Sequence, residues 1–150
     1  MEEARYHEFV SEEVFRNGFV SILYYEAGSL LTIQWMRQID FDERREGFLW
    51  ALDFSIENKV RHWLIDDAEI FVITSQEQRW VENEWTALVA TSDISKIAVL
   101  LPDHYNSLVA FRGFTQRAQK NYQHHGTARH EVFMDKQTAL QWLLGEKEAK

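Results

Sequence analysis

RHWLIDDAEIFVITSQEQRWVENEW, residues 61–85, is the stretch from which the fold can be inferred. Residues 62–65 form a short, mostly apolar run, which predicts a buried strand. Two aspartates, Asp66 and Asp67, follow this run directly. Two interpretations of the pair stand at this point: a site where two carboxylates act together, or the ordinary polar end of a strand.

The second half of the same stretch predicts a helix. Ser75 with Gln78 three residues later matches a capping box, in which each side chain bonds to the backbone of the other residue. Apolar residues then recur at helical spacing: Val81, Trp85, Leu88 and Val89. A strand followed by a helix of this length is half of a βαβ unit, which predicts a parallel sheet.

Similar pairs of strand and helix lie on both sides. The run KIAVLLP, residues 96–102, is apolar nearly throughout, as is typical of an inner parallel strand. HEVFMD, residues 130–135, predicts the last strand. Asp40 or Asp42 begins a helix of about four turns, because Asp40 and Glu43 match a second capping box. The apolar residues at helical spacing are Phe48, Leu49, Leu52 and Ile56, then Leu108, Phe111, Thr115, Ala118 and Tyr122, and finally Ala139, Leu140, Leu143 and Leu144.

The start of the chain follows another pattern. The pair Asn17 and Gly18 readily adopts positive φ and predicts a hairpin turn, and residues 26–29 predict a second turn. Between that turn and residue 37, apolar and polar residues alternate, which is typical of a half-buried strand. Residues 7–15 fit a strand and a short helix equally well. Antiparallel strands therefore precede the parallel ones.

These patterns together predict the fold class. We expect one α/β domain over residues 1–150, with a core over about residues 19–144. Its sheet is mixed and mostly parallel, with antiparallel N-terminal strands and covering helices.

Composition excludes several classes of protein. The 150 residues contain no cysteine, which excludes disulfides, thiolate zinc sites and cysteine nucleophiles. A formal charge of −8 repels phosphate backbones, so we expect no nucleic-acid partner. Apolar runs are shorter than the roughly 20 residues of a membrane span, so we expect no membrane insertion and a cytoplasmic location.

The order of elements resembles a known family. The residues that carry this resemblance are the tryptophan of IQWMR, the WLIDD strand, the helix with Trp80, the KIAVLLP strand and the final FMDKQTALQWL. With the order β-β-α-β-α-β-α-β-α, the chain resembles the SpoIIAA-like proteins of the STAS superfamily over about residues 19–144. The resemblance implies a regulatory or binding module and no enzymatic activity. It also implies a fold similar to that of the lipid-carrying CRAL-TRIO domains, which keeps an apolar ligand as an alternative.

The resemblance also bears on Ser75. Anti-sigma-factor antagonists of this superfamily are switched by phosphorylation of a serine in a D-S-S-G-L type motif at the start of the second helix. The corresponding place reads VITSQEQRW, so that Ser75 stands at the serine while Thr74 replaces the aspartate and no glycine follows. Ser75 is therefore either a phosphorylation switch or a helix cap, and the departures from the motif favour the cap.

Five aspartates come just after predicted strands, where α/β folds place ligands: Asp40, Asp66, Asp67, Asp103 and Asp135. Three of them, Asp40, Asp103 and Asp135, also precede helices, and helix capping explains them. Asp66 and Asp67 remain the candidate polar site, suited to magnesium or a phosphoryl group, although the structural interpretation is favoured.

Other catalytic or metal-binding patterns are weak. His124, His125 and His130 could gather a metal, but adjacent histidines usually point apart, and we expect no metal site and no cofactor. No G-x-S-x-G elbow, P-loop or dinucleotide-binding glycine motif is present. We therefore expect that the chain is not an enzyme, with catalysis by Asp66 and Asp67 as the last alternative.

Three aromatic residues fall outside the predicted core stripes. Trp50, Phe54 and Phe114 are candidates for a subunit interface or for the lining of a pocket. From these residues we expect at least a homodimer.

Two functions stay open. The favoured one is a non-catalytic regulatory or interaction module that binds a partner protein or a copy of itself. The alternative is a small-molecule or lipid carrier with an apolar pocket between sheet and helices. Basic residues within positions 112–129 could meet an acidic partner, although a solvated helix face is the favoured interpretation.

Overall fold

The computed structural model describes the backbone of residues 11–101 and 105–145, and the side chains of the same residues except 105–112. The strands are β1 (Glu12–Arg16), β2 (Val20–Tyr25), β3 (Leu30–Trp35), β4 (His62–Asp66), β5 (Lys96–Leu100) and β6 (Arg129–Phe133). The helices are α1 (Phe41–Asn58), α2 (Ser75–Trp80, continued by a π-helical turn, Val81–Trp85, and by Thr86–Val89), α3 (Tyr105–His125) and α4 (Lys136–Leu140, continued by a π-helical turn, Gln141–Gly145). Within these described residues, no helix is long and apolar enough to cross a membrane.

The strands form one six-stranded sheet in the order in which they occur along the chain. β1, β2 and β3 are antiparallel, whereas β3 to β6 are parallel. The predicted mixed, mostly parallel sheet with an antiparallel start is confirmed. The undecided N-terminal segment contains a strand, β1, at the edge of this sheet.

Two hydrophobic cores lie on the two faces of the sheet. Right-handed crossovers in one direction place successive helices on the same face, and α1, α2 and α3 share one core with Trp63 and Ile97. Leu64 and Ala98, the next residues along these two strands, face the opposite side of the sheet, where they pack on α4. The prediction that the KIAVLLP strand is buried on both faces is therefore confirmed.

The first hairpin forms as predicted, but by a different interaction. Oδ1 of Asn17 accepts hydrogen bonds from the backbone N–H groups of Phe19 (2.9 Å) and Val20 (3.0 Å). Among the described residues no glycine has positive φ, and Asn17 does not either. The expectation of positive φ at Asn17 and Gly18 is wrong, because the side chain of Asn17 closes the turn.

The predicted helix starts are confirmed at two aspartates. Oδ1 of Asp40 accepts from the backbone N–H of Glu43 at 2.9 Å, and the Glu43 side chain accepts in return from the backbone N–H of Asp40. Oδ1 of Asp135 accepts from the backbone N–H of Thr138 at 2.8 Å. The third predicted cap, Asp103, lies outside the described residues.

The predicted cap at Ser75 is wrong by one residue. Oγ1 of Thr74 accepts from the backbone N–H of Glu77 at 3.1 Å, and the Glu77 carboxylate accepts from the backbone N–H of Thr74 at 2.8 Å. Ser75 is the first helical residue and is exposed. A carboxylate is a stronger acceptor than the amide of Gln78, so that the Thr74 and Glu77 pair forms the capping box.

Two predicted core residues are at the surface. Ile56 on α1 is 45% exposed and Leu88 on α2 is 38% exposed. The buried side of α1 contains the predicted Phe48 and Leu52 together with the small residues Gly47, Ala51 and Ser55. Large tryptophans of the sheet fill the space beneath them, which the spacing of apolar residues could not reveal.

Candidate functional site

A buried ion pair joins α1 to α2 below the loop that follows β4. Nε of Arg44 donates to Oε2 of Glu77 at 2.8 Å, and their side chains are 3% and 1% exposed. The guanidinium also lies 5.6 Å from the ring centroid of Trp35 and 5.7 Å from that of Phe48. The capping box fixes Glu77 at the start of α2, so that local helix geometry positions one half of the pair.

Asp67 is the third member of this cluster. Its backbone N–H donates to the carbonyl of Leu100 and its carbonyl accepts from Ile70, which holds the residue beside β5. The side chain is buried, and burial raises the pKa of the carboxyl group to about 7, although the charge of Arg44 opposes this. The Asp67 carboxyl group therefore holds its proton to a much higher pH than an exposed aspartate does.

Asp66 does not join Asp67 in one site. Its Oδ1 accepts from the backbone N–H of Ala68 at 3.0 Å, in a turn, and the residue is partly exposed. Neighbouring side chains along a strand point to opposite faces of the sheet. The two aspartates therefore have separate surroundings, with Asp66 in a turn and Asp67 inside the protein.

A small cavity lies next to the ion pair, between the sheet and the helices. Its volume is about 40 Å³, and its lining includes Arg44, Asp67, Phe114, Tyr122 and His130. Nη2 of Arg44, Oδ1 of Asp67 and Nδ1 of His130 have no hydrogen-bond partner among the described residues. A water molecule needs about 10–15 Å³ of such space, so the cavity has room for a few waters, which could bond to these atoms.

The charge of its side chains and its small volume determine which ligands the cavity can hold. Burial lowers the pKa of His130 to about 4, so that its imidazole is neutral at pH 7 and stacks on Tyr122 with centroids 5.3 Å apart. Ligand pockets for drug-sized molecules usually measure about 300–1,000 Å³. In this conformation the cavity has room for water and not for a lipid, which gives the predicted carrier function no structural support.

The histidines occupy two environments. His124 and His125 are exposed at the end of α3, with their rings edge to face and 5.0 Å apart, whereas His130 lines the interior cavity. Within residues 11–101 and 105–145, no group of three or more histidine and acidic side chains is arranged to hold a metal ion.

The three aromatic candidates do not form one surface. Trp50 stacks on Phe15 at 4.6 Å and on Phe54 at 5.5 Å, and Tyr24 meets Phe54 edge to face at 5.0 Å. This aromatic row packs α1 against the β1–β2 hairpin. Phe114 instead lines the interior cavity. Phe114 thus lies in a cavity, one of the two places predicted for these residues, apart from Trp50 and Phe54. The interface and the homodimer stay predictions.

Sequence reasoning missed an exposed apolar loop between β4 and α2 whose backbone is hydrogen-bonded to a distant side chain. Phe71 and Val72 are 45% and 57% exposed. Oε1 of Gln38 accepts from the backbone N–H groups of Phe71 (2.8 Å) and Val72 (3.2 Å), and Nε2 of Gln38 donates to the carbonyl of Val72 at 2.8 Å. The sequence shows only an apolar run here, and the partner that holds it, Gln38, is distant in the chain.

A surface groove between α1 and α2 was also missed. Its volume is about 460 Å³, it is open to solvent, and it is lined in part by Phe41, Arg45, Arg79 and Trp80. Residues Asn83 and Glu84 of the π-helical turn complete its wall. Such turns occur frequently at functional sites, but no sequence pattern indicates where they form.

Comparison with known proteins identifies the fold. No protein-family model and no curated protein matches the chain. The crystal structure of an uncharacterised protein of the DUF3478 family with a SpoIIAA-like fold, from Shewanella loihica PV-4, is similar over 87% of this chain and 98% of that chain. The TM-score is 0.51 and the sequence identity is 13%. The SpoIIAA-like fold inferred from the sequence is therefore confirmed.

Proposed function

We propose that this protein is a non-catalytic regulatory module of the STAS or SpoIIAA-like type that binds a partner protein. The observation that carries the proposal is the loop of residues 71–74, in which Gln38 fixes the backbone while Phe71 and Val72 stay exposed. Its docking surface is this loop together with the first turn of α2.

The energetics of the loop favour this function. Covering the exposed part of Val72 removes apolar surface from water, which favours association. The three hydrogen bonds to Gln38 mean that the loop backbone is ordered before the partner arrives, so less conformational entropy is lost on binding. An apolar surface with a fixed backbone is suited to recognition of another protein.

Ser75 gives this surface a means of regulation. It is exposed and is the first residue of α2, directly after the loop. A phosphate there would add negative charge at the docking surface, while the positive end of the helix dipole would accommodate it. The resemblance to anti-sigma-factor antagonists supports this part of the proposal, although the surrounding motif differs.

The test compares the proteins captured by three purified forms from a lysate of the source organism. Val72→Asp should lose a partner that wild type captures, because a charge replaces the apolar contact. Ile56→Asp is the matched control, since Ile56 is similarly exposed on the far part of α1, and it should keep that partner. Equal capture by all three folded forms would contradict the proposed surface.

A further inference from the structure

We propose that the groove between α1 and α2 binds an acidic segment of a partner protein, whose carboxylates pair with Arg45 and Arg79. The inference rests on the proposed function, because it names the chemistry of the partner. It concerns a surface different from the apolar loop, and separate variants therefore test the two.

The shape of the groove suits a peptide segment. Phe41 and Trp80 meet edge to face with centroids 6.1 Å apart, and Trp80 is only 7% exposed. The guanidinium of Arg45 lies 5.5 Å from the centroid of the Phe41 ring, which holds it over an apolar surface. The volume of about 460 Å³ is in the range of pockets that bind a small ligand, which is space enough for side chains of a peptide.

The charged side chains of the groove indicate which chemical groups its occupant carries. Four other arginines form ion pairs with glutamates, namely Arg16 with Glu13, Arg37 with Glu43, Arg44 with Glu77, and Arg117 with Glu82. Arg45 and Arg79, like Arg61 and Arg129, form no ion pair within the described part of the chain and are exposed, but Arg45 and Arg79 lie together in one groove. The groove thus brings together two guanidinium groups without carboxylate partners, although the formal charge of the protein is −8.

The side chains that line the groove carry a net positive charge. Its charged side chains are Arg45, Arg79 and the single carboxylate of Glu84. A guanidinium presents its N–H donors in a planar fork that matches a carboxylate. The amides of Gln76 and Asn83 add further polar atoms at the rim. The chemistry of the groove therefore fits carboxylates placed against an aromatic floor.

The occupant is a protein segment and not a nucleic acid. A phosphate backbone would extend beyond the groove over a surface whose net charge repels it, whereas an acidic side chain needs contact only at the two arginines. The groove is also open at the surface and adjoins the docking loop along the chain, since Gln76 follows Val72 by four residues. One partner can therefore contact both surfaces.

The experiment uses random peptides in place of an identified partner. A phage library of random dodecapeptides is panned on wild-type protein, and the affinity of the selected peptides is measured for two double variants. The first variant, Arg45→Gln with Arg79→Gln, removes both guanidinium groups. The control, Lys59→Gln with Arg61→Gln, makes the same change in charge; Lys59 lies about 21 Å along α1 from Arg45, at 1.5 Å per residue.

We expect the selected peptides to be rich in aspartate and glutamate. Their affinity should fall about tenfold or more, equivalent to about 1.4 kcal/mol, in the groove variant and should stay unchanged in the control. Added salt should weaken binding to wild type. Equal unfolding midpoints of the three forms would show that the loss is not caused by unfolding.

Four results would overturn the inference: no selected binder, selected peptides without acidic enrichment, equal binding to the groove variant, or full competition by free glutamate at millimolar concentration. The last result would indicate a small carboxylate ligand in place of a protein. Val72→Asp should retain the acidic peptides, so a failure of the proposed docking loop is distinguishable from a failure of the groove.

Discussion

At the scale of single residues, the start of α2 shows how closely two similar caps can compete. Thr74 and Ser75 are adjacent hydroxyl residues, and each has a polar residue three positions later. The structure selects Thr74 because Glu77 bonds both to its backbone and to Arg44.

Exchange of these two residues for alanine should therefore have unequal effects. Thr74→Ala should lower the free energy of unfolding by about 1 kcal/mol, because a backbone N–H at the start of α2 loses its acceptor. Ser75→Ala is the control, and its change should stay within about 0.5 kcal/mol. Urea unfolding of both variants measures the difference, and a larger loss in Ser75→Ala would contradict the assignment of the cap.

Asp67 should make stability depend on pH. Burial raises its pKa to about 7 in the folded protein, above the ordinary value of 3.8. The folded state therefore binds the proton more tightly than the unfolded state, and the free energy of unfolding should fall as the pH rises from about 4 to about 7. Above that window both states are ionised and the loss is complete.

Asp67→Asn should abolish this contribution. Relative to wild type, the variant should gain about 2 to 4 kcal/mol of stability between pH 4 and pH 7, since one pKa unit is worth about 1.4 kcal/mol. Burial of His130 lowers its pKa to about 4 and acts with the opposite sign, so the difference between variant and wild type is the quantity to measure. A difference independent of pH would contradict the raised pKa of Asp67.

At the scale of elements, the close approach of α1 to the sheet depends on Gly47. A methyl group at this position would lie 2.8 Å from two ring atoms of Trp35, whereas one at Gly18 would meet nothing within 4 Å. The tryptophan ring occupies the space that a side chain on α1 would need.

Gly47→Ala should therefore destabilise the protein by about 1 to 3 kcal/mol, the usual cost of overpacking a core, in spite of the better helix propensity of alanine. Gly18→Ala is the control and should be nearly neutral. Chemical unfolding of the two variants measures the contrast, and a stabilised Gly47→Ala would show that α1 shifts easily away from the sheet.

At the scale of the whole molecule, the three connections between the parallel strands β3 to β6 all run in the same direction. They therefore place α1, α2 and α3 on one face of the sheet, and α4 packs on the opposite face. The same arrangement brings the ends of β3 and β4 together, so that Gln38, which follows β3, can hold the loop that follows β4. Light scattering of the purified chain measures whether it forms the predicted homodimer. The aromatic row of Trp50 and Phe54 is partly buried because it packs against the β1–β2 hairpin, which leaves less of it to contact a second copy.

The sequence by itself determined the alternation of strands and helices, the antiparallel start, and the caps at Asp40 and Asp135. These features depend on neighbours a few residues apart, so local patterns are sufficient to predict them. The resemblance to the SpoIIAA-like proteins implied the particular fold, and the similarity to a solved structure agrees with it.

Only the tertiary structure decided which polar residues meet. Arg44 and Glu77 are 33 residues apart, and Gln38 contacts Val72 across 34. Asp67 has a raised pKa because the surrounding helices exclude water from it, and the groove exists because α1 and α2 lie side by side. Contacts between distant residues depend on how whole elements pack, and the spacing of residue types along the chain carries no record of that packing.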